Sequence, residues 1–543
     1  MTLTRETESA PAIADGSSAR PHRPSLRSRA AGWLVTHRIS LVLLSVLLIV
    51  VGTAMAWNLQ GYPGSINDDE GTYVAEAWAM LYRHDLSHYT YWYDHPPLGW
   101  ASIALWAWLT DGFNRVSSAV MIGREVMWIA ALVSSALIYV LARRLQFHRA
   151  TAALAVLLFA LGPLGIWYHR MISLDNLATM WTLAAFAIAA SRRRSLAAAV
   201  GSATCFAVAT LSKETIALLL PALLWLLWQH TDKATRRWNL TTFCSTYVLL
   251  VLLYPLMAVL KGELLPGPGH VSLMWAVQYQ LSRQGPSLLV PTGYTHDLAT
   301  SWMYLDGWTM TAGAVAMIVG VFVARLRPLS IALLLQVLVM VKGGYIPYAF
   351  VTGMLPFVAL LIAGVIDTGG KAAGRRFPWR DQAAARGSLA WMSPVLWAGV
   401  VGACALVVVA SPGWATSLSR QWTTDGFANE RAATAWVMRN VPTGDVVVVD
   451  DYMWPDISHR ETDGAVPLWL WKVNGDPTVS RQLLPRGYSS IDYIALSAQP
   501  REALAALPVL AEALKHSTVI ERFGGPTGVT IYRVNPAPSA AGA

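Results

Sequence analysis

The chain has 543 residues, of which 55% are hydrophobic and only 13% charged, against roughly 25% charge in ordinary soluble domains. With a mean hydropathy of +0.41, that composition excludes a string of soluble domains and divides the length into spans of about 20 residues with loops between them. The net charge of +9 does not mark a nucleic-acid binder, because its distribution follows alternate loops. Cys205, Cys244 and Cys404 all lie in apolar runs, which excludes a disulfide framework or a cysteine zinc site.

In chain order, residues 1–38 are polar and arginine-rich and are expected to be a disordered cytoplasmic tail. The apolar run near 39–57 reads as an uncleaved first span, since no small-residue cleavage site clearly follows it. Further crossings are expected near 120–142, 150–167, 174–191, 195–212, 215–229, 239–260, 308–324, 329–342, 345–367 and 388–410, about 11 in all, in a transmembrane domain over 39–410. Threading them from an inside amino terminus puts more than half of the 41 lysines and arginines on the cytoplasmic side, in the tail, Arg143 to Arg149, Arg192 to Arg194, Lys233 to Arg237, Arg325 to Arg327 and Lys371 to Arg386. The outer loops hold far fewer, as the positive-inside rule requires in a plasma-membrane protein.

The run Leu98 to Asp111 is apolar but too short to cross, and its tryptophans suit a helix lying along the outer leaflet. Past residue 410 the pattern changes to a helix over Glu430 to Asn440, strands at Val446 to Val449 and Ile491 to Leu496, a helix over Glu502 to Lys515 and short strands near Val519 and Thr530. The expected fold is therefore an α-helical polytopic membrane protein with a small extracytoplasmic α/β domain over 411–535 and a disordered tail at 536–543.

Chemistry concentrates in the first outer loop, 58–119, where Asp68, Asp69, Glu70, Glu76, Asp85, Asp94 and His95 lie beside the membrane. Around SINDDEGTYVAEAWAML the apolar positions recur at helical spacing, with Asn67 as N-cap and Asp69 and Tyr73 on one face. The acids suit a helix cap as well as a reactive site. In Tyr93-Asp94-His95-Pro96-Pro97 two prolines hold the histidine extended, which suits a stiff turn or a rigidly presented imidazole. Charges at outer span ends, Arg124, Arg170 with Asp175, Lys213 with Glu214, and Lys342 near Tyr345, are costly at membrane depth and mark either ion pairs or contact with a lipid phosphate.

Read in order, these motifs resemble the membrane-embedded polyprenyl-phosphate-sugar glycosyltransferases of GT-C architecture, the group containing protein O-mannosyltransferases and lipid A aminoarabinose transferases. Asp69-Glu70 looks like that family's acidic motif, and DHPPLG like its His-Pro-Pro-Leu-Gly element, which in the aminoarabinose branch carries lysine at the place of His95. Arg124, RMISLDNL with Arg170 and Asp175, and YIPYAFVTGMLP match further blocks. The mannosyltransferases usually follow the element with lysine, where this chain has Trp100.

The resemblance implies a polyprenyl-phosphate sugar donor and a lipid, glycan or protein hydroxyl acceptor. In that scheme Asp69 is the general base, with Glu70 and His95 positioning the reactants. Arg124, Arg170, Lys213 and Lys342, with Asp94, Asp175 and Tyr345, would line the phosphate and substrate. No cofactor is required; a divalent metal on Asp94 with His270 or His296 stays open. The rival reading is a lipid or sugar transporter or flippase, which predicts ionisable groups near mid-span and paired broken helices.

Overall fold

The computed structural model describes residues 26–64, 69–191, 195–268, 270–376, 413–459, 464–498, 501–525 and 528–535. The expected span at 388–410, most of the basic segment after Lys371, the Asn67 cap, residues 1–25 of the expected amino-terminal tail and the carboxy-terminal tail lie outside the described residues, whereas residues 26–38, expected to be disordered, open the first helix.

Every expected crossing up to residue 367 coincides with helix. These are α1 (Leu26–Ala56), α5 (Val120–Arg144), α6 (Arg149–Leu161) with α7 (Pro163–Arg170), α8 (Leu174–Ala189), α9 (Leu196–Ser212), α10 (Leu220–His230), α11 (Arg236–Val251) with α12 (Leu253–Leu260), α14 (Tyr294–Val321), α15 (Arg327–Lys342) and α16 (Val351–Arg376). Between them lie α2 (Asp69–Tyr82), α3 (Leu98–Thr110), the single turn α4 (Gly112–Arg115) and α13 (Leu273–Ser282). Five helical stretches, Leu34–Ala56, Val120–Arg144, Arg236–Leu260, Tyr294–Val321 and Tyr348–Ala372, are long and apolar enough to cross a membrane. α8, α9 and α10 are shorter apolar helices.

Burial separates two kinds of apolar face. α1 and the α11–α12 pair expose Val42, Val46, Ile49, Leu249, Leu253 and Leu256, the surface hydrocarbon solvates. α16 sits in the middle, with Val358, Leu360 and Leu361 buried among the neighbouring spans.

Two departures from the sequence reading have local causes. The stretch 150–167 is not one straight helix: the chain bends by 60° between α6 and α7, at Gly162-Pro163, because proline removes the N–H the helix would need and is tolerated at the first turn of the next. α14 extends the expected 308–324 helix back to Tyr294 but breaks at Asp306 (φ −151°, ψ 57°). There the Asp306 carboxylate accepts the Thr309 N–H at 3.3 Å and Trp414 Nε1–H at 3.1 Å, capping the second half of the helix.

The carboxy-terminal region forms a five-stranded sheet of order β2-β1-β3-β5-β4, where β1 is Val446–Val449, β2 Val466–Trp469, β3 Tyr493–Leu496, β4 Ser517–Phe523 and β5 Val529–Val534. β1 runs parallel to β2 and β3, while β5 is antiparallel to β3 and β4. β2 escaped the sequence reading because Val466-Pro467-Leu468-Trp469 contains a proline, which demotes a strand to an edge; β2 is one of the two edge strands. The expected helix at 502–515 is likewise two helices, Arg501–Ala505 and Pro508–Lys515, divided before Pro508.

This domain shares one hydrophobic core with α2 and α3, in which Trp78 packs edge-on against Trp454 at 5.4 Å. The backbones come so close that a Cβ on Gly71 would stand 2.2 Å from the Asp451 carbonyl carbon, and the Thr72 N–H donates to Asp451 Oδ2 at 3.1 Å. Gly71 in α2 is there for this approach, not for flexibility.

Candidate active site

α2 begins at Asp69, so Asp69 and Glu70 fall on different faces of its first turn. Asp69 is exposed. Glu70 is buried: its Oε2 lies 3.0 Å from Arg124 Nη2, and its Oε1 accepts the Ile172 N–H at 2.7 Å. Burial raises the Glu70 pKa, against the pull of Arg124 and the Ile172 N–H. The Arg124 guanidinium, wholly buried, also donates to the carbonyls of Leu59 at 2.8 Å and Pro63 at 2.5 Å and lies 4.6 Å from the centre of the Phe427 ring. Glu70 and Arg124, expected at the sugar and the phosphate, bind the loop to α5 and to the entry of α8. Removing one partner of such a pair costs about 3–5 kcal/mol, because the other charge stays buried.

Arg170 and Asp175, five residues apart, do not pair as their spacing suggests. Arg170 turns back to the end of α1 and donates to Trp57 O at 2.8 Å and to Asn58 O. Asp175 accepts the Ser173 hydroxyl at 2.9 Å, and Ser173 in turn caps α8.

The groups that do converge surround Lys213. α9 stops at Ser212 and the chain is extended at Lys213 before a 3₁₀ turn, Glu214–Leu219, restarts it. The nearly buried ammonium lies 2.8 Å from His95 Nε2, and His95 Nδ1 lies 3.0 Å from Glu214 Oε2. Whichever of Lys213 and His95 carries the shared proton, Nδ1–H faces Glu214. Burial, and then Lys213, pull the imidazole pKa down, but Glu214 and Asp94 raise it, and the net shift is upward. The carboxylates whose fields reach Lys213 are Asp175, Glu214, Asp69 and Asp94, in decreasing order.

Pro96 and Pro97 are not the only restraint on His95: its carbonyl accepts the hydroxyls of Tyr91 at 2.5 Å and Tyr254 at 3.3 Å. Tyr73, on the Asp69 face, lies 6.4 Å from the His95 ring and stacks parallel to Trp100 at 6.5 Å. Sequence reasoning weighed Glu214 as a structural ion pair and did not foresee its hold on His95. The only signal was its place next to Lys213.

Lys342 and Tyr345 are exposed. The guanidinium of Arg283, a residue the sequence reading did not place in the site, stands 3.3 Å over the Tyr345 ring. The histidines proposed to join Asp94 around a metal lie elsewhere: His270 Nε2 is 3.4 Å from Leu265 O and His296 Nδ1 is 3.1 Å from Leu288 O. Among the described residues no three His, Cys, Asp or Glu side chains gather as metal ligands.

Behind this site the carboxy-terminal domain grips the Asp85–His95 segment. Lys472 donates to Thr90 O at 2.6 Å, Asp476 accepts from Thr90 N and Oγ1 at 3.2 and 2.9 Å, and the Tyr89 hydroxyl donates to Pro467 O at 2.8 Å. Buried Glu76 of α2 takes the Ser87 hydroxyl at 3.0 Å on one oxygen. Burial first, then Asp94 and Asp85, lift its pKa from the ordinary 4.5 to about 8, against Lys472 and Ser87. A folded-state pKa above the unfolded one stabilises fully below 4.5 and loses that contribution as pH rises through about 8. Thermal unfolding should therefore show Glu76→Gln gaining on the parent protein as pH increases from 5 to 8.5. Parallel pH profiles would contradict this assignment.

The sequence model of the dolichyl-phosphate-mannose-protein mannosyltransferase family matches residues 94–260, the segment that holds Asp94, His95, Asp175, Lys213 and Glu214. No curated protein matches the chain in sequence. Among solved structures, ArnT from Cupriavidus metallidurans in the apo state superposes over 93% of this chain and 98% of its own at 15% identity, TM-score 0.57. Its complex with undecaprenyl phosphate does so over the same shares at 16% identity, TM-score 0.54. The oligosaccharyltransferase AglB from Archaeoglobus fulgidus, in complex with an inhibitory peptide and a dolichol-phosphate, superposes over 94% of this chain and 76% of its own at 11% identity, TM-score 0.52. The whole-chain superpositions show that this multi-pass membrane protein has the fold of these GT-C glycosyltransferases, and its residues 94–260 resemble the mannosyltransferase family.

Proposed function

We propose that the chain transfers a sugar from a polyprenyl-phosphate donor to a hydroxyl acceptor on the outer face of the membrane, in one inverting displacement with Asp69 as general base. The observation that carries this reading is the gathering of Lys213, His95 and the carboxylates Asp69, Asp94, Asp175 and Glu214 at one end of the span bundle. Undecaprenyl phosphate and dolichol-phosphate in complexes of the same fold support a lipid-linked donor.

Asp69 accepts the acceptor hydroxyl proton as that oxygen bonds to the anomeric carbon. The bond from that carbon to the phosphate oxygen breaks, and its electron pair leaves with the polyprenyl phosphate. Lys213 meets the charge growing on the departing phosphate. His95 orients the ammonium and is itself fixed by Glu214 and by the tyrosines on its carbonyl. Arg283 and Lys342 supply a second cationic group along the donor, with Tyr345 under Arg283. The carboxy-terminal domain holds the acidic loop in register through Gly71, Thr72 and Thr90. The product's anomeric configuration, read by proton NMR, tests the mechanism: inversion is expected, and retention would require a covalent or ion-pair route instead.

The same reading places the amino terminus in the cytoplasm and the sheet domain outside. In a cysteine-free background, cysteine at exposed Gln284 or Gln482 should react with an impermeant thiol reagent in intact cells. Cysteine at exposed Ala234 should stay protected. The opposite pattern would invert the orientation and remove the acidic loop from the outer face.

A further inference from the structure

At the end of the bundle away from the acidic loop, α1, α5 and the start of α6 enclose a cavity of about 560 Å³. That volume falls within the roughly 300–1,000 Å³ of small-molecule sites. α1 runs from this end towards Ala56 and the loop, and α5 returns from Val120 to Arg144, so the cavity opens at the opposite membrane surface from Asp69. Its walls are of two kinds: apolar Leu41, Leu44 and Val140 along the spans, and Arg143, Arg144 and Arg149 at the mouth.

The arginines are held by the fold. Arg143 and Arg144 each donate one N–H to a backbone carbonyl, of Phe147 in the α5–α6 loop and of Ala187 in the last turn of α8, and Arg149 Nε donates to Ser40 Oγ at 3.1 Å. A guanidinium carries five N–H donors, so each retains others. Among the described residues no acidic side chain lines the cavity. The nearby carboxylate, Asp367, already serves Arg325, Lys371 and His148. A separate observation points inward: Tyr139 lines the cavity at 3% exposure, and its hydroxyl has no hydrogen-bond partner among the described residues. Buried tyrosine hydroxyls ordinarily have one.

We infer that this cavity is a binding site for an anionic phospholipid of the adjoining leaflet. The lipid phosphate accepts from the three guanidinium groups and from the Tyr139 hydroxyl, while the upper acyl chains lie along Leu41, Leu44 and Val140. Polar and apolar walls together select a phosphate carrying a hydrocarbon tail over a free phosphate. The site is remote from the chemistry proposed above, and its occupancy does not depend on that chemistry.

Native mass spectrometry of the purified full-length protein tests it, with added phosphatidylglycerol, phosphatidylcholine or soluble glycerol phosphate. Phosphatidylglycerol should be retained roughly tenfold better than phosphatidylcholine, because the choline cation beside the phosphate opposes the three guanidinium groups. Arg149→Gln, at an exposed position that leaves the packing undisturbed, should narrow that preference, and Tyr139→Phe, which removes only the hydroxyl, should lower the retention of phosphatidylglycerol. Equal retention of both lipids, an equal loss of both in Arg149→Gln, or protection by glycerol phosphate matching that of the lipid would overturn the inference. Because the readout is binding, a failure here is distinct from a failure of the proposed glycosyl transfer.

Discussion

Asp69→Asn should lower turnover by about 100-fold to 10,000-fold, the usual contribution of a general base, while the protein still folds. The amide keeps the size and most of the hydrogen bonding of the carboxylate but cannot take the acceptor's proton. The competing account makes Asp69 a charge favouring the positive end of α2, in which case the change costs about 0.3–1 kcal/mol of stability and leaves turnover near normal. The two outcomes are separated by orders of magnitude in kcat at saturating substrates. Asp85→Asn is the control, an exposed acid of the same loop that faces Lys261 at 3.6 Å. Comparable activity losses in both variants would assign the effect to the loop's overall charge.

Lys213→Met should reduce turnover about 100-fold to 1,000-fold, the range for deleting one preorganised group that stabilises developing negative charge. Methionine preserves the length and apolar stem of the side chain. The pH dependence distinguishes this from simple misfolding. Lys213 lowers the pKa of His95 and Glu214 raises it, so without the ammonium the imidazole should titrate at higher pH. A residual activity whose histidine limb moves to higher pH fits the arrangement. A near-normal kcat would remove Lys213 from the phosphate.

What the sequence conveyed depended on the range of the interaction. The spans were legible because hydrocarbon demands an apolar run wherever the chain crosses, and the first turn of α2 was legible because helical periodicity alone puts Asp69 and Tyr73 on one face. Errors arose where side chains choose partners across the fold. An ion pair between Arg170 and Asp175 was one of two readings their spacing allowed, yet α7 ends with Arg170 directed at Trp57 and Asn58. Glu70 finds Arg124 across 54 positions, and His95 finds Glu214 across 119. No local pattern encodes such contacts. The role of Gly71 was likewise invisible, since the Asp451 backbone that excludes a side chain there lies 380 residues later in the chain.

The central claim is that the donor is a lipid-linked sugar and that this chain cleaves its phosphate ester. The most direct measurement is to incubate the purified protein with an acceptor extract and a panel of radiolabelled polyprenyl-phosphate sugars, alongside nucleotide sugars, and to follow release of polyprenyl phosphate. Release from at least one lipid-linked sugar, abolished in Asp69→Asn and absent with nucleotide donors, is the predicted result; transfer from a nucleotide sugar without any lipid carrier would contradict the account.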